Sequence, residues 1–235
     1  MKDSEIKQFY KPYQSTIRFE KFLKSNRIIN NNTKKIIDIG TGIGSNLDYF
    51  SKKNKQIFFL GTDYNEKRLK IGKKLIKNPK VHLQKLDILK SKQKINQYFD
   101  LTLCIHTLCV FKRLDDVLKN ICKIGSKFIA INSLFYEGDL DVLIHIRDHT
   151  NKKISDKNPD SDFNIFSLNH ASRIFKKYKY KIILKKPYFP SKKINKPSKG
   201  KRGSYTIKTE MNKFTTFSGP VHLPWYFVVA KKIKC

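Results

Sequence analysis

Glycine recurs at alternate positions in Asp38-Ile39-Gly40-Thr41-Gly42-Ile43-Gly44, directly behind a carboxylate. Glycines spaced this way let a backbone pass close to a ligand in conformations that a Cβ would block. The apolar segment Lys35-Ile36-Ile37 before them reads as a buried strand, and Ser45 to Lys53 after them as a helix. Strand, glycines and helix N-terminus together cradle a nucleotide, because the free N–H groups of the first helical turn face it. A second carboxylate, Asp63, ends the apolar run from Gln56 about 20 residues past the loop, where it can take both hydroxyls of a ribose.

The spacing departs from that of a dinucleotide site, which wants G-x-G-x-x-G or alanine in the last place. Here the third small residue, Gly44, comes one position early, and Asp38 ahead of the glycines is also foreign to that fingerprint. Two later apolar runs end in residues that carry chemistry. Val81 to Leu86 leads into Asp87-Ile88, and Phe99-Asp100 opens the run Leu101-Thr102-Leu103-Cys104-Ile105 that ends at His106.

Taken in order, the loop D-x-G-x-G-x-G, Asp63, Asp87-Ile88 and the run from Phe99 to His106 resemble the motifs of class I S-adenosylmethionine-dependent methyltransferases. The resemblance covers about residues 10 to 135 well and the rest loosely. It implies S-adenosylmethionine as cofactor, with S-adenosylhomocysteine as product. Gly40, Gly42 and Gly44 would admit its amino-acid end and ribose, Asp63 would bind the ribose hydroxyls, and Asp87 with Ile88 would hold the adenine. Tyr64, Cys104 and Arg18 complete the cofactor-binding set it implies, and Asp38 organises the loop. An N-terminal helix often closes the site in this family, so Tyr10, Tyr13, Gln14 and Arg18 are expected to form a lid.

Methyl transfer from a sulfonium needs an acceptor held in line, and a base when that acceptor is an alcohol. His106 stands where the family faces the sulfonium and the acceptor, so it is one catalytic candidate. A second group follows the fifth strand: Tyr136, His145, Arg147 and His149. Several titratable groups in one polar segment suit acid–base chemistry and anion recognition. His145 is read as the base and Arg147 as a clamp for phosphate or carboxylate, with Tyr136 as a further substrate contact; their order equally allows His149 as the base. No spacing of His, Asp and Glu suggests a metal.

The C-terminal segments Gly203 to Glu210, Phe217 to Pro220 and Leu223 to Tyr226 resemble small methyltransferases of bacterial surface-polysaccharide (capsule) gene clusters. That implies O-methyl transfer to a sugar, or to a nucleotide-linked or phosphoramidate-type precursor. Two other readings stay open: an RNA methyltransferase, and a non-catalytic S-adenosylmethionine-binding module. The intact glycines, Asp63 and Asp87 speak against the module. The RNA reading rests on charge, since the formal net charge is +31. Only seven of the 50 basic residues are Arg, the type that nucleic-acid sites favour for bidentate contacts. The lysines are spread over every predicted helix and loop, as a solvated surface would have them, and a phosphorylated acceptor would give some of them a use.

The four cysteines, Cys104, Cys109, Cys122 and Cys235, show no C-x-x-C spacing and read as free thiols of a reduced compartment. No apolar run is long enough to span a membrane, and Met1 to Glu5 lacks the apolar core of a signal peptide, so a soluble cytoplasmic protein is expected. Strands and helices alternate from residue 35 to 133, which implies a doubly wound, mostly parallel α/β sheet with ligands at its carboxyl edge. The expected architecture is a seven-stranded Rossmann-like methyltransferase sheet with an antiparallel last strand and a C-terminal cap insertion. One domain, 1–235, is expected, with 1–33 as a helical lid and 134–222 containing the substrate-side insertions. Residues 136–166 read as a polar loop, Ser167 as a helix cap, and Ser204 to Lys208 with Lys213 to Phe217 as a hairpin.

Overall fold

Short apolar runs such as Ile36-Ile37-Asp38-Ile39 cannot stand alone in water; they gain stability by pairing into a sheet whose two faces helices cover. A computed structural model describes residues 9, 11–90, 95, 97–147, 160–198 and 203–233. In chain order these form α1 (Gln14–Ser25), β1 (Lys35–Ile39), α2 (Ser45–Lys53), β2 (Phe58–Asp63), α3 (Glu66–Leu75), β3 (Val81–Lys85), β4 (Leu101–Ile105), α4 (Leu114–Lys123) and β5 (Phe128–Tyr136). Then come β6 (His145–Arg147), β7 (Asp160–Asp162), β8 (Phe166–Ser167), α5 (Leu168–Lys177) and β9 (Tyr180–Pro187). The chain continues through β10 (Ser204–Lys208), β11 (Phe214–Ser218), β12 (Val221–Leu223) and β13 (Trp225–Lys232).

The main sheet runs β3-β2-β1-β4-β5-β13-β9, with the two-residue β8 beside β5. The first five strands pair in parallel, and β13 lies antiparallel between β5 and β9. This is the mostly parallel doubly wound sheet the sequence implies. Alternate residues of each strand feed opposite cores. On one face Ile37, Ile129 and Val228 pack with Leu118 and Ile121 of α4 and Phe175 of α5. On the other, Ile36, Leu103 and Phe227 pack with Phe19 and Leu23 of α1, Phe50 of α2 and Leu69 of α3. Asp100 fastens the far edge, its Oδ2 accepting the N–H groups of Lys34 (2.7 Å) and Lys35 (2.9 Å).

The insertions differ from the expected loop and hairpin. Within 136–166, β6 and β7 pair as an antiparallel ribbon, and β8 joins the main sheet. Buried Asn164 anchors this segment: its N–H donates to the Cys109 carbonyl (2.7 Å) and its amide to the Phe111 carbonyl (2.8 Å). Strands of two or three residues carry no measurable periodicity, so a reading of alternation passes over them. The hairpin β10–β11 gains a third strand, β12. Ser167 does cap its helix, accepting the N–H of His170 at 2.9 Å. Cys104, Cys109 and Cys122 are free and buried, and burial pushes the Cys109 and Cys122 thiols up to about 11 and 12. Among the described residues no helix is long and apolar enough to cross a membrane.

One close approach sets where the glycine loop lies. Gly72 of α3 packs so tightly on the Ile43 carbonyl and Leu83 that a Cβ there would overlap both. Gly72→Ala is expected to cost about 1–3 kcal/mol of overpacking. Thermal unfolding should then show a melting temperature lower by roughly 2–10 °C.

Candidate functional site

The carboxyl ends of β1, β2 and β4 converge on the glycine loop. The N–H groups of Gly40 and Thr41 both donate to the Thr62 carbonyl, at 2.8 and 2.9 Å. Gly40, Gly42 and Gly44 have φ of +72°, +60° and +81°, in the left-handed region. At Gly40 a Cβ would collide with Thr107, whose hydroxyl donates to the Gly40 carbonyl at 3.0 Å. At Gly42 a Cβ would meet nothing within 4 Å. The loop is therefore closed against β4 at Gly40 and open at Gly42.

Asp63 holds that open side in place. Its Oδ2 accepts the Gly42 N–H and its Oδ1 accepts the Asn65 N–H, each at 2.8 Å, and the residue is only 5% exposed. Carboxylate oxygens carry two acceptor sites each, so these bonds leave capacity for ligand hydroxyls. Asp38 sits beneath the loop. Burial pushes its carboxyl up to about 7, with the Thr41 hydroxyl opposing the rise and the charge of Asp63 adding to it. Asp38 Oδ1 and Thr41 Oγ1 are buried with no hydrogen-bond partner beyond this pairing among the described residues. Buried polar atoms with bonding capacity to spare beside an open cradle fit a polar ligand that uses it. The donor and acceptor set thus fits a nucleoside with a charged amino-acid tail.

The remaining cofactor candidates fall into place around this loop to different degrees. The Leu86 N–H donates to the Asp63 carbonyl at 3.0 Å, which sets Asp87 beside the end of β2. Asp87 is half-buried and accepts the Leu89 N–H at 3.1 Å; Ile88 packs on the core, and its carbonyl accepts the Asn120 amide at 2.7 Å. Tyr64, next to Asp63, is 67% exposed. Cys104 lies inside β4 with no exposed surface, and burial holds its thiol well above the ordinary value. Arg18 projects toward the end of β9, donating to the Phe189 carbonyl at 3.4 Å.

Next to Thr107, His106 forms the wall of a cup. Its backbone takes φ of +58°, unusual for a residue with a side chain, and its N–H donates to the Asn132 carbonyl at 2.8 Å. Its Nε2 lies 3.0 Å from Asn132 Nδ2 and 2.9 Å from Ser15 Oγ. Tyr13 and Trp225 meet the ring edge-on, with centroids at 5.6 and 5.0 Å. Burial lowers the imidazole pKa to about 4, so the ring is neutral at ordinary pH. The sequence reading missed Asn132, Ser15 and Trp225 as members of this group. A polar Asn closing the apolar run Phe128-Ile129-Ala130-Ile131 is the signal that could have found the first of them.

The cup is roofed. On α1, Thr16 donates to Asn46 Oδ1 of α2 at 2.8 Å. Gln14 donates to Ser191 Oγ at 2.7 Å and accepts the Ser191 N–H at 2.8 Å. Of the expected lid residues, Tyr13 meets the His106 ring, Gln14 holds Ser191 and Arg18 turns to the Phe189 carbonyl, whereas Tyr10 lies outside the described residues. His145 stands on the separate β6–β7 ribbon, 58% exposed, with Nδ1 3.0 Å from Asp162 Oδ1. Arg147 ends β6, and Tyr136 ends β5 with 47% exposure. His149 lies outside the described residues. His170, which sequence reasoning passed over, bridges Asp141 (2.7 Å) and Asp115 (3.2 Å) and ties the insertion to α4.

Residues 37–124 match the methyltransferase domain family. An uncharacterized protein of Rickettsia prowazekii (strain Madrid E) is 32% identical over 111 residues, covering 43% of this chain and 44% of that relative's length. Among solved structures, a Burkholderia thailandensis 1,6-didemethyltoxoflavin-N1-methyltransferase with bound S-adenosylhomocysteine aligns with TM-score 0.59 at 11% identity, covering 98% of this chain and 84% of that one. An O-methyltransferase from a trans-AT PKS multienzyme of Brevibacillus brevis, in complex with S-adenosyl-L-homocysteine, aligns with TM-score 0.55 at 12% identity, over 73% of this chain and 54% of that one. These structural likenesses establish the shared fold. Residues 37–124 are thus similar in sequence to a methyltransferase domain, and the chain shares the fold of methyltransferases whose structures hold S-adenosylhomocysteine.

Asp63→Asn replaces an acceptor oxygen with a donor nitrogen facing a backbone N–H. Calorimetry with S-adenosylhomocysteine should show affinity at least about tenfold weaker, as expected for losing a charged acceptor worth about 1.5–3 kcal/mol. Asp38→Asn tests the buried carboxyl. Its folded pKa of about 7 lies above the ordinary 3.8, so its stabilising contribution is present at low pH and is lost as pH rises through about 7. Denaturant unfolding should therefore show the variant gaining stability relative to the parent between pH 4 and 7, with a constant difference above that.

Proposed function

We propose that this chain is an O-methyltransferase acting on a small anionic acceptor. The acceptor is a phosphorylated or nucleotide-linked sugar, or a phosphoramidate-type precursor, destined for a bacterial surface polysaccharide. The observation that carries the reading is the roof over His106. Ser15 bonds the imidazole itself, and α1 is pinned to α2 and to Ser191, so the cup admits a small molecule more readily than a polymer. The RNA reading has only the net charge behind it. The surplus of lysine favours an anionic acceptor over a neutral one.

When bound, S-adenosylmethionine supplies a methyl group on a sulfonium, whose bonding pair returns to sulfur as the new C–O bond forms. The chain's own residues position the reactants and move one proton. Gly42 and Asp63 would hold the ribose, and Asp87 with Ile88 would flank the adenine. Positioning of this kind supplies much of the rate of an in-line displacement. Trp225 and Tyr13 wall the cup and exclude water from it. In the tautomer that leaves Nε2 unprotonated, His106 takes the acceptor's hydroxyl proton there, in exchange for the contact that Nε2 makes with Asn132 or Ser15 at rest. Ser15 Oγ, at 2.9 Å, marks the place that this hydroxyl occupies or relays through. His145 with Asp162 is an oriented imidazole at the surface, and Arg147 with Tyr136 lies on the insertion side as a contact for the acceptor's sugar end.

A screen of sugar phosphates and nucleotide-linked sugars with radiolabelled cofactor should find an acceptor that is methylated on oxygen. Methylation of RNA with every small acceptor inert would reject the reading. His106→Gln should lower kcat by roughly 10²–10⁴ while S-adenosylhomocysteine affinity stays within about threefold. For the parent, kcat should stay level between about pH 6 and 8 and fall as pH drops toward about 4, where His106 takes up its proton.

A further inference from the structure

Between α1 and the edge strand β9 runs an open groove that the methyl-transfer steps leave unused. Its floor is aromatic. Tyr188 stacks on Phe227 with centroids at 5.2 Å and planes at 25°, and Phe22 packs against Phe227 at 5.6 Å. Its walls carry Arg18, Lys21 and Lys186, and no acidic residue lines it. All three cations are exposed. Burial pushes the Tyr188 phenol up to about 12, and the charge of Arg18 works against that rise, so this cation reaches the floor of the groove.

The groove adjoins the cup. Trp225, which touches His106, and Phe227, which floors the groove, are two residues apart on β13 and so share one face. Lys186 stands opposite Phe227 in the β9–β13 register, on that same face. Along α1, Ser15 at His106 and Phe22 in the groove are separated by a rise of about 10 Å. A nucleoside diphosphate has dimensions and chemistry of this kind. Its base stacks on aromatic rings whatever its identity, and its phosphates seek guanidinium and ammonium groups.

We propose that this groove is the subsite for the nucleotide end of a nucleotide-linked acceptor. The base lies over Tyr188 and Phe22, and the diphosphate lies between Arg18, Lys21 and Lys186. The sugar then reaches along α1 into the cup beside His106. This inference rests on the small-acceptor reading above and narrows it to a nucleotide-linked class.

The test uses the full chain and uridine diphosphate as probe, titrated by calorimetry with and without saturating S-adenosylhomocysteine. Saturation keeps the probe out of the cofactor cleft, and the measurement needs no turnover. The expected result is binding that persists under saturation and weakens at least tenfold in the Lys21→Ala/Lys186→Ala variant. S-adenosylhomocysteine affinity should stay unchanged in that variant, and Tyr188→Leu, which keeps bulk but removes the stacking ring, should also weaken the probe. Probe binding that vanishes under saturation, or that the double variant retains in full, would overturn the subsite. So would a single-stranded RNA oligonucleotide that the same lysines hold and the probe fails to displace. If a simple sugar phosphate is methylated equally well by parent and double variant, the methyl-transfer reading survives and the subsite fails.

Discussion

The bond between the Asp63 carboxylate and the Gly42 N–H is the contact on which the rest of the site depends. Gly42 sits at positive φ with open space where a side chain would be, so its N–H has no helical or strand partner of its own. A buried carboxylate at the end of β2 supplies one at 2.8 Å. Charge-assisted bonds of this sort are shorter and stronger than neutral ones. This bond joins the ends of two parallel strands that no short turn could connect. The same carboxylate orders the start of α3 through Asn65, whose side chain then caps that helix at the Arg68 N–H. One residue thereby sets the loop and the helix behind it.

The electrostatics of the cleft follow from burial. Asp38 and Asp63 lie close enough for the charge of one to raise the pKa of the other, and desolvation raises Asp38 further. A protonated Asp38 beneath the loop relieves the repulsion that two buried carboxylates would otherwise store. His106 is shifted in the opposite direction by the same physics, because burial disfavours whichever form carries charge. Asp38 therefore holds its proton up to about pH 7, and the His106 imidazole is neutral above about pH 4. A neutral imidazole is the form a proton-accepting group needs.

The insertions do the work of enclosure. Asn164 ties the β6–β7 segment to the turn that follows His106, while Asp141 and Asp115 grip His170 from two elements. The β10–β12 sheet interrupts the chain between β9 and β13, and Leu223 at its end packs with Cys109 and Leu134. None of these pieces alters the main sheet. They are added between its strands, where an α/β fold tolerates variation.

The parts that local patterns encode were legible in the sequence. The spacing of Gly40, Gly42 and Gly44, the acids Asp63 and Asp87 after apolar runs, and the regular alternation from residue 35 to 133 each leave a signature within a few residues. They determined the sheet and the loop. The cup around His106 left no such signature, because Ser15, Asn132 and Trp225 come from α1, β5 and β13 and meet only once the antiparallel β13 is inserted beside β5. The β6–β7 ribbon stayed hidden because its strands are too short for a period, and His145 falls on that ribbon with Asp162 as its partner. Residue types and spacing determined the sheet and its glycine loop; long-range pairing, whose energy comes from burial between distant segments, decided which side chains gather around His106.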